Sequence, residues 1–247
     1  MTDFVIKIAK HNFSVSAKFE STYQYFADYV TSEMPDYSFE IADNDIDFER
    51  KKAAREDELE GIPYRKFSDA YLETIAVQRK VTQILFGHDV LLFHGSVIAV
   101  DGEAYLFTAK SGTGKSTHTR LWREMLGNRA VMVNDDKPFL EFAGENVYAH
   151  GSPWNGKHHL GENICVPLKA ICILERGNTN QIRQIAPADA LMMLMQQSSR
   201  PASREKMPKY MDMIDQLTQR VSFYRLQCNM DPEAARVAWA GMRGKDD

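Results

Sequence analysis

Apolar residues return in two rhythms along this chain. Over 67–86 they recur every three or four positions: Tyr71, Leu72, Ile75, Val77, Val81, Ile84 and Leu85 share one broad face. This predicts a helix, with Ser68 placed to cap its start and Gly87 to end it. From about 88 to 186 the apolar residues come instead in short runs broken by turn residues, which predicts strands with one helix among them. Leu91, Leu92 and Phe93 form one run, followed by 97–100, the turn pair Asp101-Gly102, and 104–108, a hairpin pattern. Strands are further predicted over 130–134 and 168–174, and a second hairpin joins 139–142 to 147–150 around Gly144. The tail predicts helices over 188–197, 205–219 and 232–242, a strand over 221–226 and a frayed end over 243–247.

The first sixty residues are less regular. Short strands are expected over 4–8, 13–15 and 38–41. A short amphipathic helix is expected over 22–31, carried by Tyr23, Phe26, Ala27 and Val30. The highly charged stretch 43–60 reads as a solvated loop or exposed element. The division this suggests is an N-terminal α+β portion, residues 1–62, and a larger domain, residues 63–247.

Composition narrows the function classes. The chain has 247 residues, 44% hydrophobic and 26% charged, ordinary proportions for a globular protein. Thirty basic against 34 acidic residues give a net charge of −4, which is no footprint for nucleic acid. No apolar run has the length of a membrane span, and the N-terminus lacks a secretory pattern, so a cytoplasmic location is expected. Cys165, Cys172 and Cys228 are odd in number and lack metal-binding spacing, and they read as reduced thiols.

The sharpest chemical signal is Ala109-Lys110-Ser111-Gly112-Thr113-Gly114-Lys115-Ser116-Thr117, set between the strand at 104–108 and a helix over 117–125. A strand, a glycine-rich turn, Lys-Ser and a helix make the arrangement that cradles a nucleoside triphosphate. Backbone N–H groups over 111–117 would face phosphate oxygens, Lys115 would reach the β- and γ-phosphates, and Ser116 would ligate Mg²⁺. Ala109 stands where the pattern has glycine, a departure that is tolerable if no positive φ is needed there. Asp135-Asp136 ends the apolar strand 130–134, where acids near the metal and the γ-phosphate are expected. His94 lies at the far end of the hairpin that feeds the loop; a histidine beside an apolar run is commonly a packed one.

These residues resemble, in order, the HPr kinase/phosphorylase and phosphoenolpyruvate carboxykinase group of P-loop proteins: His94-Gly95, Ser111-Gly112-Thr113-Gly114-Lys115 and Asp135-Asp136. The likeness covers about 90–175 and is closest to small HPr-kinase-like proteins. It implies a mixed-strand α/β core of the HPr-kinase/carboxykinase P-loop type with flanking helices. It also implies ATP and Mg²⁺, a general-base role for Asp136 assisted by His94, and metal binding by Asp135, the two acids being interchangeable at this level. Glu162 would be a second Mg²⁺ ligand by the same resemblance.

The stretch 151–159, Gly-Ser-Pro-Trp-Asn-Gly-Lys-His-His, resembles a loop of small members of the group. It would place Lys157 beside the γ-phosphate or the acceptor. His158 and His159 are adjacent, and adjacent side chains rarely point at one ion. Arg200 and Arg204 follow a helix and offer either a cation for the site or a charge on the helix end; Arg120 reads as a surface residue.

The expected activity is therefore an ATP-dependent kinase acting on a hydroxyl, either a serine of a protein or peptide or a small-molecule alcohol. Two alternatives stand beside it: a carboxykinase-like enzyme acting on oxaloacetate, and a nucleotide-binding regulatory module without turnover. HPr kinases assemble into hexamers, so a homo-oligomer is allowed without a fixed count.

Overall fold

Residues 1–244 are described by the computed structural model; of the tail expected over 243–247, positions 245–247 lie outside them. The chain forms two compact units, Met1–Gly87 and a second from His88 on. The helix expected over 67–86 is present as α3, Asp69–Leu85, and Ser68 Oγ caps it by accepting from Tyr71 N–H. It belongs to the first unit, which ends at Gly87.

The reason is a set of polar contacts. The first unit is a three-stranded sheet of β1 (Thr2–Ile8), β2 (His11–Ala17) and β3 (Tyr37–Glu40) with helices α1 (Glu20–Tyr25), α2 (Asp43–Glu60) and α3. Glu73 of α3 is fully buried, and its carboxylate accepts from Lys18 N–H at 2.6 Å, Phe19 N–H at 3.1 Å and Thr22 Oγ1 at 2.5 Å. One side chain thus ties α3 to the end of β2 and the start of α1.

One expectation for this unit is corrected and one is sharpened. In place of a helix over 22–31 stand the six-residue helix α1 and a 3-10 turn at Ala27–Tyr29. The charged stretch 43–60, expected as a solvated loop or exposed element, is the largely exposed 18-residue helix α2. Its apolar residues form no stripe, so periodicity hid it. Charge pairing holds it instead: Arg79 of α3 bonds Asp45 at 2.8 Å and also pairs with Glu49, while Asp57 accepts from Arg65 N–H at 2.8 Å. Gly61 ends it in the left-handed conformation.

The second unit is mixed α/β. Its curled nine-stranded sheet runs β4-β8-β9-β10-β6-β5-β7, with β12 on β10 and β11 on β12. These strands are β4 (Val90–Leu92), β5 (Ser96–Val100), β6 (Glu103–Thr108), β7 (Ala130–Asn134), β8 (Phe139–Ala143), β9 (Asn146–His150), β10 (Cys165–Arg176), β11 (Gln181–Gln184) and β12 (Ser222–Cys228). The helices are α4 (Lys115–Leu126), α5 (Pro187–Gln197), α6 (Met207–Arg220) and α7 (Glu233–Met242). The Asp101-Gly102 turn joins β5 to β6 with both residues at positive φ, the form whose twist matches a hairpin.

Alternation along the central strands buries both faces. Ile98, Val100, Tyr105, Phe107, Ala170, Cys172 and Leu174 meet Trp122 of α4 and Ala234, Ala235 and Ala238 of α7 in one core. Trp122 is ringed by Tyr105, Phe107 and Trp239 at centroid distances of 5.1–5.5 Å. Val97, Ala99, Leu106, Ile171 and Ile173 alternate with that set and are buried as well, while α5 packs on β12 and α6 on β9.

Strand direction places the site. β6, β10 and β12 are parallel to one another. β5 is antiparallel to both β6 and β7, so β7 runs with β6. Four strands therefore end at one edge of the sheet, and β5 begins there.

Candidate active site at the carboxyl edge of the sheet

The carboxyl edge of a sheet with parallel strands is where ligands of such folds gather, and the sequence-marked residues converge on it. β6 runs into the glycine-rich loop, and α4 starts at Lys115. Gly112 and Gly114 take φ of 74° and 118°, which side-chain-bearing residues rarely adopt, and Thr113 N–H closes the turn on Lys110 O at 3.2 Å. Ala109 is fully buried and has no positive φ, so alanine meets the needs of that position. Ser111 and Ser116 are exposed, and Lys115 and Thr113 are half-buried.

β7 delivers the two acids beside this loop. Asn134, fully buried, shapes the turn that follows. Its Oδ1 accepts from Asp136 N–H at 2.8 Å and Lys137 N–H at 2.6 Å, and its Nδ2 donates to Ser152 O and Oγ at 2.9 and 3.0 Å. Asp135 is then buried, with Oδ1 accepting from Ser96 Oγ at 2.7 Å and a further hydrogen bond from Ser116. Asp136 lies with Oδ1 3.2 Å from His94 Nε2.

His94 is held by its backbone. Its N–H donates to Gln197 O at 2.7 Å, and its carbonyl accepts from Thr108 Oγ1 at 3.0 Å. The next residue must be glycine: a Cβ at Gly95 would stand 2.9 Å from Leu106 Cδ2 and 3.0 Å from Phe107 O. Gly95 N–H in turn donates to Asp136 O at 3.0 Å, tying the two strand ends together.

The electrostatics set the two acids apart. Burial raises the Asp135 carboxyl above its usual range, against the lowering hydrogen bonds from Ser96 and Ser116 and the nearby His158. Burial acts the same way on Asp136, but His94, Lys137 and Lys115 together outweigh it and hold Asp136 below its usual range. The bond to Asp136 favours a charged His94, yet burial and the positive Lys137 and Lys115 win, and its pKa is lowered. Lys115 is lowered by burial and by Lys137, against the pull of both acids. At neutral pH the site holds a neutral His94 donating from Nε2 to an ionised Asp136, since a carboxylate can only accept.

Beside the loop, a cavity of about 440 Å³ opens between Thr113, Thr117, His118 and Leu121 on one side and Arg176, Asn229 and Met230 on the other. Its walls come from the glycine-rich loop, the first turns of α4 and the ends of β10 and β12. The Arg176 guanidinium bonds Gly112 O and so braces the loop. His118 accepts from Trp122 Nε1–H at 3.1 Å, while its Nδ1 has no hydrogen-bond partner; burial depresses its pKa to about 4.

Lys157 is exposed on the turn after Asn155, between Gly156, where a Cβ would lie 3.3 Å from Asp136 Cβ, and His158, which acts on Asp135. Other expected residues lie elsewhere. Glu162 is exposed beside β7, its N–H on Val133 O at 3.3 Å, and lines a separate cleft of about 590 Å³ with Arg123, Asn128 and His159; Ser116 and Asp135 do not line that cleft. Arg200 is exposed and donates to Met195 O at 3.3 Å, the helix-end role. Arg120 is exposed and pairs with Glu124.

Sequence reasoning missed Ser96, Asn134, Lys137, Ser152 and Arg176. Asn134 and Lys137 flank the acid pair directly, and that adjacency was the available signal. Arg176 carries none, because it reaches Gly112 from 64 positions away.

No curated protein matches the chain. Among solved structures, the Hpr(Ser) kinase/phosphatase from Coxiella burnetii is similar with a TM-score of 0.36 and 10% identity, over 62% of this chain and 99% of that one. A likeness of that size carries no assignment. The family model described as SynChlorMet cassette protein ScmC matches residues 65–236, more than half of the sequence and all of the site described above, and the chain belongs to that family.

Proposed function

We propose that this chain is an ATP-dependent kinase with a P-loop core of the HPr-kinase type, transferring the γ-phosphate to a hydroxyl. The acceptor is a serine of a protein or peptide, or a small-molecule alcohol. One observation carries the reading: Lys115 and Ser116 of the glycine-rich loop share a single site with Asp135 and with the Asp136–His94 pair.

ATP would lie with its phosphates on residues 111–117 and its nucleoside toward the cavity lined by His118, Arg176 and Met230. The Ser116 hydroxyl and the Asp135 carboxylate form an all-oxygen donor pair, which suits Mg²⁺. Asp135 also fits on electrostatic grounds, because its hydrogen bonds come from hydroxyls and its burial calls for a cation. Held by Ser116 and Asp135, such an ion would supply neutralisation of phosphate charge. Glu162 keeps a metal role here only if its own cleft serves the same ion.

The chain's residues divide the remaining work. Lys115 and Lys137 place positive charge where phosphoryl oxygens gain negative charge. Asp136, ionised and aligned by His94 Nε2–H, accepts the proton of the attacking hydroxyl. The acceptor oxygen bonds to the γ-phosphorus as the bond to the β,γ-bridging oxygen breaks, so ADP leaves and the proton remains on Asp136. Lys157 assists as an exposed cation at the mouth of the site.

The test uses γ-labelled ATP, Mg²⁺ and a lysate of the source organism separated by size, with Lys115→Ala protein as control. Label moving into a macromolecule or a new small compound only with intact Lys115 is the expected result. ATP bound but never transferred would replace the kinase with a nucleotide-binding regulatory module.

A further inference from the structure

A second cluster of reactive side chains lies away from the loop, on the strands β8, β9 and β10. Cys165 opens β10, His150 closes β9, and their backbones are paired directly opposite each other. Glu141 of β8 is two positions from Phe139, the direct partner of His150 in the other direction. Opposite and diagonal residues on one face of antiparallel strands are neighbours, and here three different ligand types meet. His150 Nε2 is 2.7 Å from Glu141 Oε2 and 3.5 Å from Cys165 Sγ, and one ligand atom of each residue lies within 4.8 Å of the other two. His150 is buried, Glu141 half-buried and Cys165 exposed.

We propose that Glu141, His150 and Cys165 form a binding site for one thiophilic divalent cation of the Zn²⁺ class. The spacing supports this. A tetrahedral zinc ion with bonds of about 2.0–2.3 Å sets its ligand atoms roughly 3.3–3.7 Å apart. The His150–Cys165 separation already has that value, and the His150–Glu141 pair needs to open by only about 0.6 Å. The His150–Glu141 pair brings together two ligand types, and the Cys165 thiol on the same nitrogen adds a third.

The ligand chemistry separates this site from the Ser116–Asp135 pair. Thiolate and imidazole favour zinc or cobalt, whereas all-oxygen donors favour magnesium. Binding releases the Cys165 thiol proton to solvent, and His150 Nε2 gives up the proton it donates to Glu141, the neutral ring then carrying its N–H on Nδ1 with the Nε2 lone pair on the ion. Three protein ligands leave a fourth position, which reaches solvent on the side of the exposed Cys165. Linear spacing concealed the site, because its members lie at 141, 150 and 165 and are joined only by strand pairing.

The test titrates the full-length, metal-free protein with Co²⁺ and follows the thiolate-to-cobalt charge-transfer band together with the visible d–d bands. One equivalent of Co²⁺ should bring up both, Zn²⁺ should abolish both, and a large excess of Mg²⁺ should leave both unchanged. Cys165→Ser changes an exposed residue at a strand end and preserves the fold; it should remove the charge-transfer band and weaken binding at least tenfold. Glu141→Gln should weaken binding about tenfold with the band retained. Absence of a band in the wild-type protein would overturn the proposal. So would a band that survives in Cys165→Ser, since the ligand would then be Cys172 or Cys228. Neither readout depends on phosphotransfer, so the site stands or falls apart from the kinase reading.

Discussion

Glu73 and the Asp135–Asp136 pair are both carboxylates taken out of water, and they are treated in opposite ways. Glu73 is fully buried and meets three donors, two of them backbone N–H groups that cannot move away. Asp135 meets hydroxyls, Asp136 meets a neutral imidazole, and two lysines lie within electrostatic reach of Asp136. A saturated carboxylate joins secondary structures. Carboxylates left short of donors beside cations and a glycine-rich turn are available to a ligand. Breaking the first should therefore cost stability and spare chemistry, and breaking the second should do the reverse.

The largest effect is expected at Lys115. Lys115→Ala should lower phosphotransfer from ATP by about 10³-fold or more, near 4 kcal/mol of transition-state stabilisation. Its thermal midpoint should stay within about 2 °C of wild type by calorimetry. A large drop in the midpoint would place Lys115 in the structural class with Glu73.

Glu73→Leu tests the other side. It removes the acceptor from the buried Thr22 hydroxyl and two part-buried backbone N–H groups and should reduce unfolding free energy by about 3 kcal/mol in urea titrations. The folded fraction should keep wild-type phosphotransfer rates. Unchanged stability would show that those donors find other partners and that Glu73 does not tie α3 down.

His118 offers a comparable magnitude through pH. Its pKa falls from an ordinary 6.5 to about 4 by burial, so the unfolded chain binds a proton that the folded one refuses. Stability should then decline as pH falls from about 6.5 to about 4. At about 1.36 kcal/mol per pH unit, the limit is about 3 kcal/mol. In His118→Gln that part of the pH dependence should vanish from urea midpoints measured across the window; an identical profile in both proteins would count against a buried neutral imidazole.

Asp136→Asn should cost about 10²-fold in transfer rate, just under 3 kcal/mol, with ATP affinity maintained. Full activity would remove Asp136 from the base role. The smallest change is expected at His94. Its lowered pKa keeps the ring neutral at pH 7, so protonation should erode activity only as pH drops below about 6.5. The Asp136 carboxylate is held low and loses its charge further down, below about 4. His94→Gln should flatten the upper step of the acid limb in a pH–rate profile and leave the lower one in place.

The elements with a strong local signature were legible in the chain. Ser68 and the apolar face behind it marked α3, the Asp101-Gly102 pair marked the β5–β6 hairpin, and Gly112, Gly114 and Lys115 marked the turn into α4. The charged helix α2 was not legible, because Arg79 supplies its support from another helix and no apolar stripe betrays it. Glu162 shows the opposite case: a residue of suitable chemistry at suitable spacing that the fold leaves exposed in a different cleft.

Residue order alone thus settled which segments could turn, cap and alternate, since those properties depend on a few neighbouring side chains and their φ preferences. It also marked the loop, the acids and His94 as chemically apt. Only the tertiary structure decided that they meet. Because β5 is antiparallel to both β6 and β7, the start of one strand and the ends of two others share an edge, and there His94, Lys115 and Asp136 come together. Strand pairing likewise brings Glu141, His150 and Cys165 to one point. Such contacts depend on hydrogen-bond register between distant segments, which no short window of sequence contains.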